Sequence, residues 1–99
     1  MIDALEARKQ DVQLQFLAII ESALSDLEDA ALRLELYKKL TRTTEATISI
    51  LETQYSTSGQ GFDELLRLQN ELVEYDLKIL KAIVQSHIAK AVIERYITS

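Results

Sequence analysis

An all-α fold, a long antiparallel helical hairpin, is predicted by three features of the sequence. The 99 residues contain no proline. Both glycines, Gly59 and Gly61, fall within three positions of each other. The stretches on either side carry apolar residues at helical spacing with no further breaker. A chain with one place to turn and two uninterrupted flanks becomes two helices joined at a tip. The expected division is one hairpin over 1–99, with a helix over about 3–55, a tip turn over 56–61 and a second helix over about 62–97.

In the first helix a 3–4 spacing runs from Ile20 through Ala23, Leu27, Ala30, Leu34, Tyr37, Thr41, Thr44, Ile48 and Leu51 to Tyr55. This is a heptad seam, the pattern of helices packed side by side at a shallow angle. Leu5, Val12 and Phe16 continue it less regularly upstream. Thr41-Arg42-Thr43-Thr44 is a soft spot, because threonine is a mediocre helix former.

The turn region reads Tyr55-Ser56-Thr57-Ser58-Gly59-Gln60-Gly61, with the three hydroxyl residues expected as turn formers. Phe62 is expected to pack on Tyr55 or Leu51 across it. The second helix opens with Asp63 and Glu64, where negative charge meets the positive end of the helix dipole. Its apolar residues form two adjacent seams: Leu65, Leu72 and Ile79, and beside them Leu66, Val73, Leu80 and Val84. So wide a band calls for more than one neighbouring helix. At 1.5 Å per residue the two helices span roughly 75–80 Å and roughly 55 Å. A lone hairpin of that shape has one contact line and no interior, so the expected solution is a four-helix bundle or a larger helical assembly.

Composition narrows the function classes. A hydrophobic content of 47% demands burial, and a net charge of −5 speaks against nucleic acid and anionic membrane surfaces as partners. No apolar run approaches the ~20 residues of a membrane span, so no membrane contact is expected of this segment. The N-terminal run Met1 to Lys9 lacks the charged-then-apolar order of a signal peptide; as it stands, the chain is expected to be soluble and to remain in the cytoplasm that made it. With no cysteine and one histidine, no metal site and no cofactor are expected. Nothing resembles a catalytic constellation, and no His–Asp pair stands near Ser56, Thr57 or Ser58 to activate them, so the chain is not expected to be an enzyme. His87 follows a serine, but Ile88 and Ala89 replace the acidic residue and proline of a phosphoacceptor motif; it is read as an ordinary interface or surface histidine. Glu21, Ser25, Asp26, Glu28 and Asp29 are read as a solvated helix face partly paired with Arg33 or Lys38 rather than as an acidic site.

Three pieces follow one another in order: Arg33-Leu34-Glu35-Leu36-Tyr37-Lys38 on the helix approaching the tip, Tyr55 followed by a glycine turn, and Phe62-Asp63-Glu64-Leu65-Leu66-Arg67-Leu68-Gln69-Asn70-Glu71-Leu72 at the start of the returning helix. Ala82, Ala89 and Glu94-Arg95 lie on the descending helix. In these residues the stretch from about Leu32 to Tyr96 resembles the second helical repeat of the TolC-like outer-membrane efflux protein family. Two departures stand out: three residues rather than two separate the tyrosine from the glycine, and Ser58 replaces the hydrophobic residue beside that glycine.

The resemblance implies a fragment of a larger channel protein, a hairpin from the periplasmic α-helical tunnel of a trimer anchored in the Gram-negative outer membrane. It implies transport as the parent's function, with an inner-membrane pump and a periplasmic adaptor (membrane fusion) protein as partners. The adaptor-docking and gate-forming tip would comprise Tyr55, Ser58, Gly59, Gln60, Gly61, Phe62, Asp63 and Glu64. The isolated fragment would form a dimer. The alternative is a stand-alone dimerising coiled-coil interaction or signalling module, in which the tip is only a linker.

Overall fold

The computed structural model describes residues 2–98, which form two helices: α1 over Ile2–Ser58 and α2 over Phe62–Thr98. They lie antiparallel as one hairpin with Cα extents of 84 × 20 × 14 Å, and no strand occurs among the described residues. The threonine run at 41–44 stays helical. Here Thr44 is buried in the seam and Thr41 is half-buried, so packing holds the segment where local preference is weak.

The heptad seam of α1 is the contact line. From Ile20 to Leu51 each of its members is buried or half-buried, and only Tyr55 at its end is classed as exposed. On α2 the inward positions are Leu65, Leu68, Leu72, Tyr75, Ile79, Ala82, Ser86, Ala89, Ile93 and Tyr96, again at 3–4 spacing. The first of the two expected α2 seams therefore faces α1. The second, Leu66, Val73, Leu80 and Val84, remains exposed. Association of hairpins into a bundle lies outside this single chain.

Side-chain size divides the contact line. Near the tip, Ile48, Leu65 and Leu68 form a buried cluster against which Leu51 and Leu72 pack. Toward the open end the fully buried positions are alanines: Ala23, Ala30, Ala82 and Ala89. Alanine is a strong helix former and lets two helix backbones approach closely, but it contributes little area to the core.

Aromatic residues fix the register. The chain has four tyrosines and two phenylalanines, and all six pair across the two helices. Phe16 meets Tyr96 edge-on at 5.3 Å between ring centroids, Tyr37 meets Tyr75 at 6.1 Å and Tyr55 meets Phe62 at 5.7 Å. The Lys78 ammonium stands 5.2 Å from the Tyr37 ring centroid, a cation–π contact on the middle pair. Aromatic pairs add about 0.5–1.5 kcal/mol each beyond area burial. Their placement at the open end, middle and tip opposes sliding of one helix along the other.

Candidate functional site: the hairpin tip

The tip is built from two backbone arrangements that only glycine adopts freely. Gly59 ends α1 with φ +69°, and its N–H donates to the Tyr55 carbonyl at 2.8 Å. This is the left-handed helix cap that satisfies one of the last carbonyls of α1. Gly61 has φ +94°, and its carbonyl accepts the first backbone bond of α2, from Leu65 N–H at 2.9 Å. A Cβ on Gly59 would meet nothing within 4 Å, and one on Gly61 only the Leu51 Cδ2 at 3.9 Å. Backbone conformation rather than lack of room therefore demands glycine at both positions.

The turn is shorter than the sequence suggests. Ser56, Thr57 and Ser58 continue α1 rather than form the turn, which leaves Gly59, Gln60 and Gly61 between the helices. Their hydroxyls donate backward along the helix: Ser56 to the Thr53 carbonyl at 3.0 Å, Thr57 to the same carbonyl at 2.8 Å and Ser58 to the Gln54 carbonyl at 2.8 Å. Hydroxyls satisfied in this way no longer compete with the helix for backbone groups. Ser58 also accepts from the Gln60 N–H at 3.4 Å, so it joins the last turn of α1 to the connection.

Phe62 packs on Tyr55 as expected, and Gly61 lies against Leu51. Both rings keep a large share of their surface, Tyr55 at 41% and Phe62 at 50%. Beside the turn, Thr53, Gln54, Thr57, Ser58, Gln60 and Gly61 line an open hollow of about 580 Å³. The end of the hairpin therefore offers two half-exposed rings beside a set of hydroxyl, amide and backbone groups.

The two acidic residues of α2 differ in their surroundings. Glu64 is held by Arg67, whose guanidinium forks across it through Nε at 3.2 Å and a second nitrogen. The same guanidinium donates to Glu71 at 2.6 Å. The hydrogen bond from Arg67, with a smaller contribution from its charge, holds the Glu64 carboxyl below the usual glutamate range. The hydrogen bond to Glu64, together with the charge of that carboxylate, raises Arg67 above its ordinary value. Asp63 makes no ion pair among the described residues and is exposed in the first turn of α2. Arg67 and Glu71 were not among the sequence-derived tip residues, although their i,i+3 and i,i+4 spacing to Glu64 is the signal for such a chain of pairs.

The wider surface is charged and solvated. Arg33 pairs with Asp29 at 3.3 Å, as the acidic face suggested, while Lys39 rather than Lys38 makes the neighbouring pair, with Glu35 at 3.6 Å. His87 is exposed. Among the described residues no group of three or more His, Cys, Asp or Glu side chains could hold a metal, and no helix is long and apolar enough to cross a membrane. At the tip the hydroxyls of Ser56, Thr57 and Ser58 all donate to backbone carbonyls of α1. Comparison with protein-family models, curated proteins and solved structures returns no match.

Proposed function

We propose that this chain is a structural and docking element: part of the periplasmic tunnel wall of a TolC-like efflux channel of the Gram-negative outer membrane, its tip engaging a periplasmic adaptor. The single observation that carries the reading is the unequal finish of the hairpin. Its tip is closed by two glycine caps and an aromatic pair, whereas large apolar side chains line its outer faces along much of its length. Such faces suit a wall in which each helix has neighbours on more than one side. The resemblance over residues 32–96 supplies the type of wall. In this reading the hairpin seals the tunnel by packing, and movement at the tip admits cargo once the adaptor and its inner-membrane pump engage.

Docking would use Tyr55 and Phe62 as apolar anchors and Ser58, Gln60 and the glycine backbone as polar contacts. Asp63 would be the free carboxylate at the entrance, with Glu64 tied back by Arg67. Titration calorimetry of the purified chain against the helical hairpin of the adaptor encoded beside the parent gene tests this. Saturable binding that Phe62→Ala weakens supports docking at the tip. Binding unaffected by Phe62→Ala and by Gly61→Val places the contact elsewhere and overturns the tip assignment.

The rival reading is a stand-alone dimerising coiled-coil module. It is favoured by a continuous apolar groove in the open half, described below, which a second hairpin could fill. The parent sequence discriminates between the two: alternating barrel strands flanking this segment support the channel, and their absence supports the module.

A further inference from the structure

Alanines in the open half of the contact line leave a groove of about 720 Å³ along one side of the hairpin. Ile19 of α1 and Leu80, Val84 and Ile88 of α2 line it, and Asp26 and Lys81 stand among them with opposite charge. Leu80 is 57% exposed and Ile88 60% exposed, so the apolar lining is open to solvent in the single chain. Neither Asp26 nor Lys81 makes an ion pair among the described residues.

We propose that this groove seats a second copy of the chain, paired about a twofold axis parallel to the long axis of the hairpin. The proposal deepens the dimerising reading above, on which it rests, rather than the tunnel-wall reading.

Three observations point to the same occupant. The first is charge. A twofold interface presents one patch to itself, so a residue of one copy must suit a different residue of the other. Asp26 and Gln85 share a level in the hairpin, as the 3.5 Å approach of Gln85 Nε2 to the Asp26 carbonyl shows. Lys81 lies one helical turn from Gln85 on the same lining. With the axis along the hairpin, Asp26 of each copy comes to the level of Gln85 and within side-chain reach of Lys81 of the other. Two ion pairs then flank one apolar centre.

The second is helix direction. That axis sets α1 of one copy beside α2 of the other, antiparallel, so the helix dipoles oppose favourably; an axis across the hairpin would also give antiparallel neighbours, and the charges separate the two. A twofold axis across the hairpin would instead set Asp26 against α1 and Lys81 against α2 of the second copy, and would lose the pairing.

The third is area. The groove is lined from Ala18 to Asp26 on α1 and from Leu80 to Val92 on α2, a length of about 18 Å at 1.5 Å per residue on a hairpin 20 Å across. It supplies the centre of an interface, and the exposed apolar side chains beyond it, Leu24 and Leu77 among them, are available toward the roughly 800 Å² per partner that a specific dimer buries.

Sedimentation velocity over a wide concentration range tests the proposal with the whole chain. The expected result is a monomer–dimer equilibrium that Asp26→Lys or Lys81→Asp alone weakens by about tenfold or more, through like charges brought together. Combining the two in one chain should restore association to within about threefold of the parent. Leu80→Asp should give monomers of unchanged helicity, whereas Ile50→Asp, on an exposed residue of the tip half, should leave the dimer intact. A chain that stays monomeric throughout overturns the proposal. So does a dimer insensitive to the charge reversals and to Leu80→Asp, which would place the contact on another face. Adaptor binding at the tip is read by calorimetry with Phe62→Ala, so the two readings fail independently.

Discussion

The two halves of the hairpin solve the same packing problem with opposite choices. In the tip half the large side chains face inward: Ile48, Leu51, Leu65, Leu68 and Leu72 fill the space between the helices. In the open half alanines take the most buried positions, and Leu24, Leu80, Val84 and Ile88 stand outside. A side chain can serve only one interface. Both halves keep exposed apolar side chains, Ile50, Leu66 and Val73 in the tip half among them, but only the tip half gathers large side chains into a buried cluster of its own.

The sharpest way to break the comparison is to remove an inward residue from the tip half. Leu68→Ala deletes a side chain in the closed cluster and should cost about 2–4 kcal/mol in urea unfolding at fixed protein concentration. A loss below about 1 kcal/mol would mean that the tip half is no better closed than the rest. The converse change, Ala82→Leu, overfills the alanine contact and should cost about 1–3 kcal/mol by forcing the helices apart. A neutral result there would show that the open seam has room to spare.

The glycines come next. Gly59→Val and Gly61→Val each place a β-branched side chain at positive φ and should cost about 1–2 kcal/mol, readable as a lowered Tm. Gly59→Asn should be milder, because asparagine tolerates the left-handed region. Equal effects of valine and asparagine at position 59 would contradict the cap geometry.

Thr41 offers a change of opposite sign. Its hydroxyl is buried without a hydrogen-bond partner, so Thr41→Val should stabilise by about 1 kcal/mol. A destabilising result would point to a partner for that hydroxyl in solution.

The smallest effect concerns acid. Arg67 depresses the folded-state titration of Glu64. The stabilisation is therefore fully present above the unfolded glutamate value and fades as pH falls through the lower folded value. Glu64 is solvent-exposed, so the effect should be slight and weakened by salt. Comparing acid unfolding of the parent with Glu64→Gln checks it: the variant should lose this share of the acid sensitivity, and an identical profile would remove Glu64 from the account.

Much of this was legible in the sequence because few signals compete in it. With two glycines and no proline, the place of the turn has one solution, and the regular spacing from Ile20 to Leu51 identifies the face that is buried. The Tyr55–Phe62 contact followed from their flanking the turn. Ser56, Thr57 and Ser58 misled the reading because the same hydroxyls favour turns or bond backward within a helix, and the choice depends on where the following glycine takes positive φ. The two α2 seams were visible as a pair, but periodicity cannot say which one faces α1, since Leu72 and Val73 are equally apolar. Only the alignment of the helices, pinned by Phe16–Tyr96 and Tyr37–Tyr75, separates the closed seam from the open one. The groove at Ile19 and Ile88 was not foreseen, because it brings together residues nearly seventy positions apart in a 99-residue chain.

In the proposed dimer the tip half closes within one chain, while the open half is completed by a second copy. Amide hydrogen exchange at low and high protein concentration tests it directly, because protection reports local opening segment by segment. Protection around Ile48 and Leu68 should be strong and independent of concentration, while protection around Ala23 and Ala89 should rise as concentration increases. Equal protection of both halves at every concentration would contradict the claim, since the hairpin would then be equally closed along its whole length without a partner.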